Sequence, residues 1–208
     1  MKPPSLLSDR DLFDYAEEHL QYEIDMLTLS AGILAFIAGH KSEGYLAWAI
    51  NNGLLNSFSF HARNLINFRY SRVRSTEYPT DVVLEDYVGD KIVADRLPAI
   101  TPLLEQALTK ANKQVAHLSV DRIQYEKAGK EWHFIDLSKE SLAAFRAIAP
   151  HVPNGRMSEV LKERLARFEF RIPVVQIEIG KTSEAGPISI KLSLRILGDG
   201  RTIDGIPA

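Results

Sequence analysis

Residues 8–36 have the sequence SDRDLFDYAEEHLQYEIDMLTLSAGILAF, in which apolar residues return every three or four positions. That spacing is the period of an amphipathic α-helix, so we predict one long helix that ends near Gly39. Ser8 followed by Asp11 is the pattern of a capping box, which places the start of the helix at this serine. The predicted apolar stripe contains Leu12, Phe13, Ala16, Leu20, Ile24, Leu27, Ala31 and Leu34.

Two more long helices are predicted downstream. The second covers about residues 43–72, and the third covers about residues 101–126. Thr101 can cap the third helix, and Pro102 suits the first helical position because no intrahelical amide bond is needed there. Residues 75–100 are interrupted by prolines and a glycine and are predicted to form a connecting loop with a short helical turn. The apolar stripe of the second helix contains Ala47, Ile50, Leu54, Phe58, Ala62 and Leu65.

The sequence after the third helix predicts two short helices and a hairpin. Ser138 is a candidate cap for a helix that Pro150 ends, and residues 158–168 fit a further short helix. Apolar and polar residues then alternate over residues 174–179 and 188–196, which is the period of a half-buried strand. A hairpin alone is marginally stable in water, so this one is expected to pack on the helices or on a second subunit.

Together these elements predict a mainly α protein, an antiparallel helical bundle with a small C-terminal β-hairpin. Residues 1–150 are predicted as the helical bundle domain, and residues 151–208 as a C-terminal extension made of one helix and the hairpin. The length of 208 residues is enough for one well-buried domain with such an appendage.

Charge and cysteine content exclude several kinds of site. The net charge is −2 and the isoelectric point about 6.3, so any nucleic-acid or lipid binding must rest on a local surface. The absence of cysteine excludes disulfides, thiolate metal sites and thiol nucleophiles, and is consistent with a reducing cytoplasm. No metal and no cofactor are predicted, because no two histidines share a helical face at ligand spacing.

Two further features of the sequence concern membranes. The first residues do not resemble a secretory signal, so a cytoplasmic location is expected. The most apolar stretch, residues 26–39, is shorter than the roughly 17–25 residues that span a bilayer. We interpret it as a buried helix end, for which a subunit interface is one possible place of burial.

Each long helix carries a polar residue inside its apolar stripe: Glu23, His61 and Arg122. If the helices pack by these stripes, an acid, an imidazole and a guanidinium are directed towards a common centre. One interpretation is a core network that fixes the register of the helices. The other is a water-accessible catalytic pocket in which Glu23 orients His61 as acid or base while Arg122 holds an anion.

Neighbours of His61 on the second helix extend this hypothesis. Asn64 lies about 60° from His61 around the helix and can share its site, whereas Arg63 lies about 160° away and could join only from a neighbouring chain. Arg69 belongs to a group of arginines at the end of this helix that could contact phosphates. A solvated helix end is the favoured interpretation of that group, because helix C-termini attract cations.

Four short segments carry a resemblance to a known group: EEHLQYEIDML (17–27), SFSFHARNLINF (57–68), DVVLEDYV (81–88) and ANKQVAHLSVDR (111–122). In this order they resemble a family of uncharacterised bacterial all-helical proteins, which is in turn similar to the HEPN group, the higher eukaryote and prokaryote nucleotide-binding domains. The resemblance covers about residues 10–125.

This resemblance implies a helical bundle that is often dimeric. Members of the HEPN group include metal-independent ribonucleases of toxin and phage-defence systems and inactive nucleotide-binding relatives. The residue carried over as catalytic is His117, but the signature arginine five places before it is Asn112 here, followed by Lys113.

The resemblance and the helical stripes together give the functional expectation. We expect a homodimeric protein that binds RNA or a nucleotide, with Arg63, Asn64, Asn112 and Lys113 as binding residues. In the catalytic form of this hypothesis His61 or His117 transfers the proton, assisted by Glu23 and Arg122. The alternative is a non-catalytic assembly module whose polar interior only fixes the helix register.

Overall fold

We describe the protein from a computed structural model. The structure describes residues 7–38, 44–70, 79–89, 98–116, 131–167, 174–181 and 188–195. Within these ranges the chain is mainly helical and the helices form a bundle around one hydrophobic core. Predicted residues that fall elsewhere, among them His117 and Arg122, lie outside the described residues.

The order of the elements follows the prediction closely. The helices are α1 Asp9–Tyr15, α2 Gln21–Ala38, α3 Tyr45–Tyr70, α4 Leu84–Val88, α5 Pro102–Lys110, α6 Phe134–Ile148 and α7 Glu159–Arg167. The π-helical segment Ala16–Leu20 joins α1 to α2, a second one, Ala111–Ala116, extends α5, and a 3-10 turn, Ala149–His151, follows α6. The backbone of β1 Val174–Lys181 pairs with that of β2 Ile188–Arg195 in an antiparallel register.

The predicted start positions of two helices, at Ser8 and at Thr101, are confirmed. The Ser8 hydroxyl accepts from the backbone N–H of Asp11 at 3.1 Å, and the Asp11 carboxylate accepts from the backbone N–H of Ser8 at 2.9 Å. Thr101 accepts from the backbone N–H of Leu104 at 3.3 Å, with Pro102 at the first helical position. Both caps satisfy amides that have no partner within the helix, so each fixes where its helix begins.

The π-helical segment in the first helix explains an unusual spacing of core residues. Leu12, Ala16, Leu20 and Ile24 follow at intervals of four and are all buried. In an ideal α-helix, positions four apart drift around the axis by about 40° per step. A π-helical segment turns less per residue, so it keeps these four side chains facing the same core.

Helices α2 and α3 pack against each other and against α6. Phe58 of α3 is fully buried, with the edges of Trp132 and Phe134 meeting its ring at centroid distances of 5.9 and 5.1 Å. Phe68, two to three turns further along α3, stacks on Phe145 of α6 at 5.7 Å. These aromatic contacts fix the second half of α3 in the centre of the bundle.

Short helix α4 is held against the start of α1 by two side chains. The Tyr87 hydroxyl donates to the carbonyl of Leu12 at 2.9 Å. Arg156 donates to the Asp9 carboxylate at 2.7 Å and to the carbonyls of Asp86 and Tyr87 at 3.0 and 3.2 Å. Helix α4 is therefore fixed against the start of α1.

Three predictions about the bundle were wrong in detail. Helix α6 begins at Phe134, so Ser138 is an interior, fully buried position rather than the cap, because the apolar face already starts at Phe134 and Leu137. The first part of the α3 stripe is not buried, and Ile50 is 45% exposed. The core also continues past residue 150, since Leu161 and Leu165 of α7 belong to it.

The continuous helical stretch Asp9–Ala38 is long and apolar enough to cross a membrane by length and composition alone, with a mean hydropathy of 1.3 over its most apolar window. It exceeds the predicted stretch of residues 26–39 because the helix continues through the π-helical segment. In the fold, 39% of that window is buried, and core helices of soluble proteins meet the same criteria.

Candidate functional site

Glu23 and His61, which the sequence directs to a common centre, are in contact. The His61 ring nitrogen Nδ1 lies 2.8 Å from Glu23 Oε2. The side-chain amide of Asn64 donates to both carboxylate oxygens of Glu23 at 3.2 Å. One carboxylate from the first turn of α2 is therefore shared by two side chains one helical turn apart on α3, as the helical angle between His61 and Asn64 predicts.

Burial and neighbouring rings hold this cluster in place. His61 is 6% exposed, while the Glu23 side chain keeps 22% of its surface in contact with solvent. Tyr22 and Phe60 meet the imidazole edge-on at centroid distances of 5.6 and 5.5 Å. The ring is thus fixed on several sides, and a carboxylate that accepts from Nδ1–H leaves the lone pair of Nε2 unused.

Beside this cluster lies a cavity of about 490 Å³. Its polar wall on α3 is formed by Arg63, Asn64 and Asn67, which are neighbours on one helical face. Glu23 lies at the boundary between the cavity and the His61 contact. Other residues that line the cavity are Tyr15, Leu20, Leu65, Phe68, Thr80, Asp81, Val82 and Val83.

Arg63 was expected to share the site of His61 only from a neighbouring chain. Arg63 lines the cavity together with Asn64 and Glu23, and His61 is not among the residues that line it. Arg63 Nε is buried, and no hydrogen-bond partner reaches it. No ion pair among the described residues includes this guanidinium.

Electrostatics also mark Tyr15 as part of the cavity. Burial raises the pKa of the Tyr15 hydroxyl above its ordinary value of 10.0, and the nearby carboxylates of Glu23 and Asp81 raise it further. Two acids and a phenol therefore share the cavity with Arg63. The cavity therefore contains hydrogen-bond donors and acceptors, and side chains of both positive and negative charge.

The other predicted binding residues lie elsewhere. Asn112 is half-buried and Lys113 exposed on the π-helical segment after α5, and neither lines the cavity. His117 and Arg122 lie outside the described residues, so the predicted meeting of three polar residues is described only for Glu23 and His61.

Arg69 is not part of a solvated helix end. It is 5% exposed, donates to the carbonyl of Pro98 at 3.0 Å, and its guanidinium lies 4.5 Å from the centre of the Tyr70 ring. Through Pro98, this arginine links the end of α3 to the residues just before α5. The helical dipole favours a cation there, but the tertiary contact decides its exposure.

A second concavity, of about 560 Å³, lies between α5 and the start of α6. Lys110 there donates to the carbonyl of Glu131 at 2.7 Å and lies 5.8 Å from the centre of the Trp132 ring. Desolvation lowers the pKa of this lysine. Because its cation is already bound and no predicted site residue lines this groove, we favour the Arg63 cavity as the functional site.

Sequence reasoning missed Asn67 and Tyr15. Asn67 follows Arg63 by four positions and Asn64 by three, so counting along the Arg63 face rather than the His61 face would have found it. Tyr15 joins the site because the end of α1 borders the same cavity as α3, which no local signal indicates. Among the described residues, no three His, Asp or Glu side chains are grouped so that they could share a metal ion.

No protein-family model, characterised protein or solved structure matches this chain. The resemblance to the HEPN group therefore stays a prediction that rests on the short motifs of the sequence.

Proposed function

We propose that this protein is a HEPN-like nucleotide- or RNA-binding protein that holds a phosphate group of its ligand with Arg63. The observation that carries the proposal is the guanidinium of Arg63, whose Nε is buried in the wall of the cavity without a hydrogen-bond partner. A buried donor of this kind costs about 1–3 kcal/mol when it is unsatisfied. A phosphate oxygen would supply the missing acceptor and match the planar donor geometry of the guanidinium.

The rest of the cavity suits a nucleotide. Its volume of about 490 Å³ falls within the roughly 300–1,000 Å³ of small-molecule sites. The amides of Asn64 and Asn67 can pair with a base edge, and the Asp81 carboxylate can accept from a ribose hydroxyl. Phe60, which is 53% exposed, lies one turn before Arg63 and Asn64 on the same face and offers a ring on which a base can stack.

The Glu23 carboxylate does not cancel the attraction of the cavity for a phosphate. The carboxylate of Glu23 already accepts hydrogen bonds from His61 and Asn64. This carboxylate is therefore engaged in the contact between α2 and α3. By contrast, Nε of Arg63 has no hydrogen-bond partner among the described residues. Electrostatic selection of an anion then depends on the Arg63 end of the cavity.

The catalytic form of the proposal is a metal-independent ribonuclease of a defence or toxin system. In that form Glu23 orients the imidazole of His61, and Nε2 of His61 or the side chain of His117 accepts the proton of the attacking ribose hydroxyl. With His61 only 6% exposed, RNA would have to displace Tyr22 or Phe60 to reach it. Binding is therefore the part of the proposal that the geometry supports best.

Calorimetric titration tests the binding proposal. The probes are AMP, ATP with EDTA, and a single-stranded RNA decamer, and they are added to the wild type, Arg63→Gln and Arg10→Gln. Arg10 is the matched control, because it is an exposed arginine of the same bundle whose ion pair among the described residues is with Asp14. We expect Arg63→Gln to weaken binding at least about tenfold, roughly 1.4 kcal/mol, and Arg10→Gln to leave it unchanged. Wild-type protein that binds none of the probes at millimolar concentration would contradict the proposal.

A second experiment separates binding from cleavage. RNA is incubated with wild type, His61→Gln and His117→Gln in EDTA, and the products are resolved by gel electrophoresis. Loss of cleavage with retained binding in either variant supports the ribonuclease form. If the wild type leaves the RNA intact, the protein binds RNA without cleaving it. In both cases binding should weaken steeply as the salt concentration rises.

The second candidate function is the non-catalytic assembly module. It is favoured by a specific observation, namely that large apolar side chains at the start of α3 are exposed. In this candidate function the Glu23–His61 contact fixes the register of α2 and α3. The predicted C-terminal hairpin then recruits a partner protein. Binding of a nucleotide that depends on Arg63 would count against it.

A further inference from the structure

The cavity that Arg63 borders carries more negative than positive charge. Among the described residues that line it, Arg63 is the single cation, and Glu23 and Asp81 are the two carboxylates. Arg63 lies on α3, Glu23 in the first turn of α2, and Asp81 just before α4, so the three charges come from different elements. An anion in this cavity is therefore attracted by one side chain and repelled by two.

The surroundings of Tyr15 indicate that both carboxylates act on the interior of the cavity. Burial is the main cause that raises the pKa of the Tyr15 hydroxyl, and the charges of Glu23 and Asp81 raise it further. Glu23 contributes although its carboxylate accepts hydrogen bonds from Asn64. Hydrogen bonds from an amide orient a carboxylate without removing its charge, so a ligand in the cavity meets a negative field away from Arg63.

A first phosphate group and any further phosphate groups therefore meet different surroundings. The first can contact the guanidinium of Arg63, whose Nε is buried without a hydrogen-bond partner. Such a contact is short and directional, and it offsets the repulsion from carboxylates that lie further away. A second or third phosphate adds negative charge beyond this contact, and no second cation among the described lining residues receives it.

Sites for nucleoside triphosphates are built differently. They surround the phosphate chain with backbone amides of a glycine-rich loop, a lysine and a magnesium ion. No lysine and no glycine is among the described residues that line the Arg63 cavity. The polar groups present beside Arg63 are the amides of Asn64 and Asn67 and the hydroxyls of Tyr15 and Thr80. These uncharged groups suit a base and a ribose better than a polyphosphate.

We propose that the Arg63 cavity selects its ligand by the number of phosphate groups. It takes a nucleoside with one phosphate, either a monophosphate or a phosphodiester, and excludes nucleoside di- and triphosphates. Asp81 determines this specificity from the mouth of the cavity, because it is exposed to solvent while the Glu23 carboxylate is held against α3. The inference rests on the proposed function, since it requires that Arg63 binds a phosphate.

Calorimetric titration in EDTA tests the selection with three adenine ligands. AMP has one phosphate and ATP has three, whereas the dinucleoside monophosphate ApA has one phosphate in a molecule as bulky as ATP. We expect AMP and ApA to bind the wild type, and ATP to bind at least about tenfold more weakly than AMP. Rejection of both bulky ligands would indicate a limit of size rather than of charge and would overturn the proposal.

Substitution of Asp81 makes the test specific. Asp81→Asn keeps an oxygen that can accept from a ribose hydroxyl but removes the charge, so the ratio of the Kd for ATP to the Kd for AMP should fall at least about fivefold. Asp81→Glu keeps the charge and should keep the selection. Asp136→Asn is the matched control, because Asp136 is an exposed aspartate of α6 that does not line the cavity. An unchanged ratio in Asp81→Asn, or an equal fall in Asp136→Asn, overturns the proposal.

The results also separate this inference from the proposed function. If ATP binds as tightly as AMP and Arg63→Gln weakens both, the selection by phosphate number is overturned and the proposed function stands. If the wild type binds neither AMP, ApA nor ATP, both are overturned. Circular dichroism of each variant checks that a change in affinity does not come from unfolding.

Discussion

The two halves of α3 differ more in their surroundings than in their composition. Residues 44–57 and 58–70 are both rich in apolar and aromatic side chains, yet only the second half is packed in the core. Phe58 is fully buried, while Trp48, less than three turns earlier, is 61% exposed. An apolar composition thus indicates that a helix will be covered, and the arrangement of the other helices decides what covers it.

The polar residues of α3 show the same division. In the second half, His61 and Asn64 converge on one carboxylate and Arg63 borders a cavity. In the first half, Asn52 donates to the carbonyl of Trp48 in its own helix. Polar side chains in the packed half are therefore the candidates for function, and the first half is a candidate for association.

The largest expected effect comes from truncating one aromatic side chain in each half. Phe58→Ala should lower the free energy of unfolding by about 3–5 kcal/mol, because it leaves a cavity against Trp132 and Phe134. Trp48→Ala should change it by less than about 0.5 kcal/mol, because the side chain is exposed. Urea unfolding followed by far-UV circular dichroism measures both, and equal losses would show that the two halves are packed alike.

The next effect concerns the contact between Glu23 and His61. A double-mutant cycle with Glu23→Ala and His61→Ala should give a coupling energy of about 1.5–3 kcal/mol, as expected for a hydrogen bond to a charged group in a largely buried site. The control is the pair Arg10 and Asp14, which is 76% and 53% exposed and should couple by about 0.3–0.5 kcal/mol. A Glu23–His61 coupling no larger than that of the surface pair would remove the proposed network.

Two glycine substitutions should have opposite signs. Gly53→Ala in the exposed half of α3 meets no atom within 4 Å and should stabilise the protein by about 0.5–1 kcal/mol through helix propensity. Gly89→Ala at the end of α4 should destabilise it by about 1–2 kcal/mol. There φ is +66° and the new Cβ would lie 3.0 Å from Arg156 Nη1. Thermal unfolding of both variants tests this, and destabilisation by Gly53→Ala would indicate that the first half of α3 is already covered.

The smallest effect is absent at neutral pH. Because burial raises the pKa of Tyr15 above 10.0, its contribution to stability is complete below pH 10 and is lost as the pH rises from 10 through the raised pKa of the folded state. Tyr15→Phe should therefore make the decline of stability above pH 10 shallower. Tyr45→Phe, at a ring that is 82% exposed, is the control. Urea unfolding at several pH values between 9 and 11.5 measures the difference, and identical profiles for the two variants would contradict the burial of Tyr15.

Much of the fold could be predicted from local signals. The caps at Ser8 and Thr101 and the helical period of α1 to α3 depend on neighbouring residues, which is why they were found. The start of α6 was misplaced because Ser138 is a good cap by type, while the apolar residues before it extend the helix.

Only the part of the site that depends on local signals could be predicted from the sequence. The contact of Glu23 with His61 followed from the two helical stripes, because each stripe faces the core. Arg63 and Tyr15 were placed by the cavity between α1, α3 and the loop before α4, which depends on how those elements pack.

The sequence by itself determined that this chain forms a helical bundle and that Glu23 and His61 point inward, since periodicity and capping act over a few residues. Only the tertiary structure decided that Arg69 is buried, that Arg63 borders a cavity, and that the first half of α3 is left uncovered. Exposure of a side chain depends on the elements that pack over it. Those elements come from distant parts of the chain, and the pattern around a residue does not encode them.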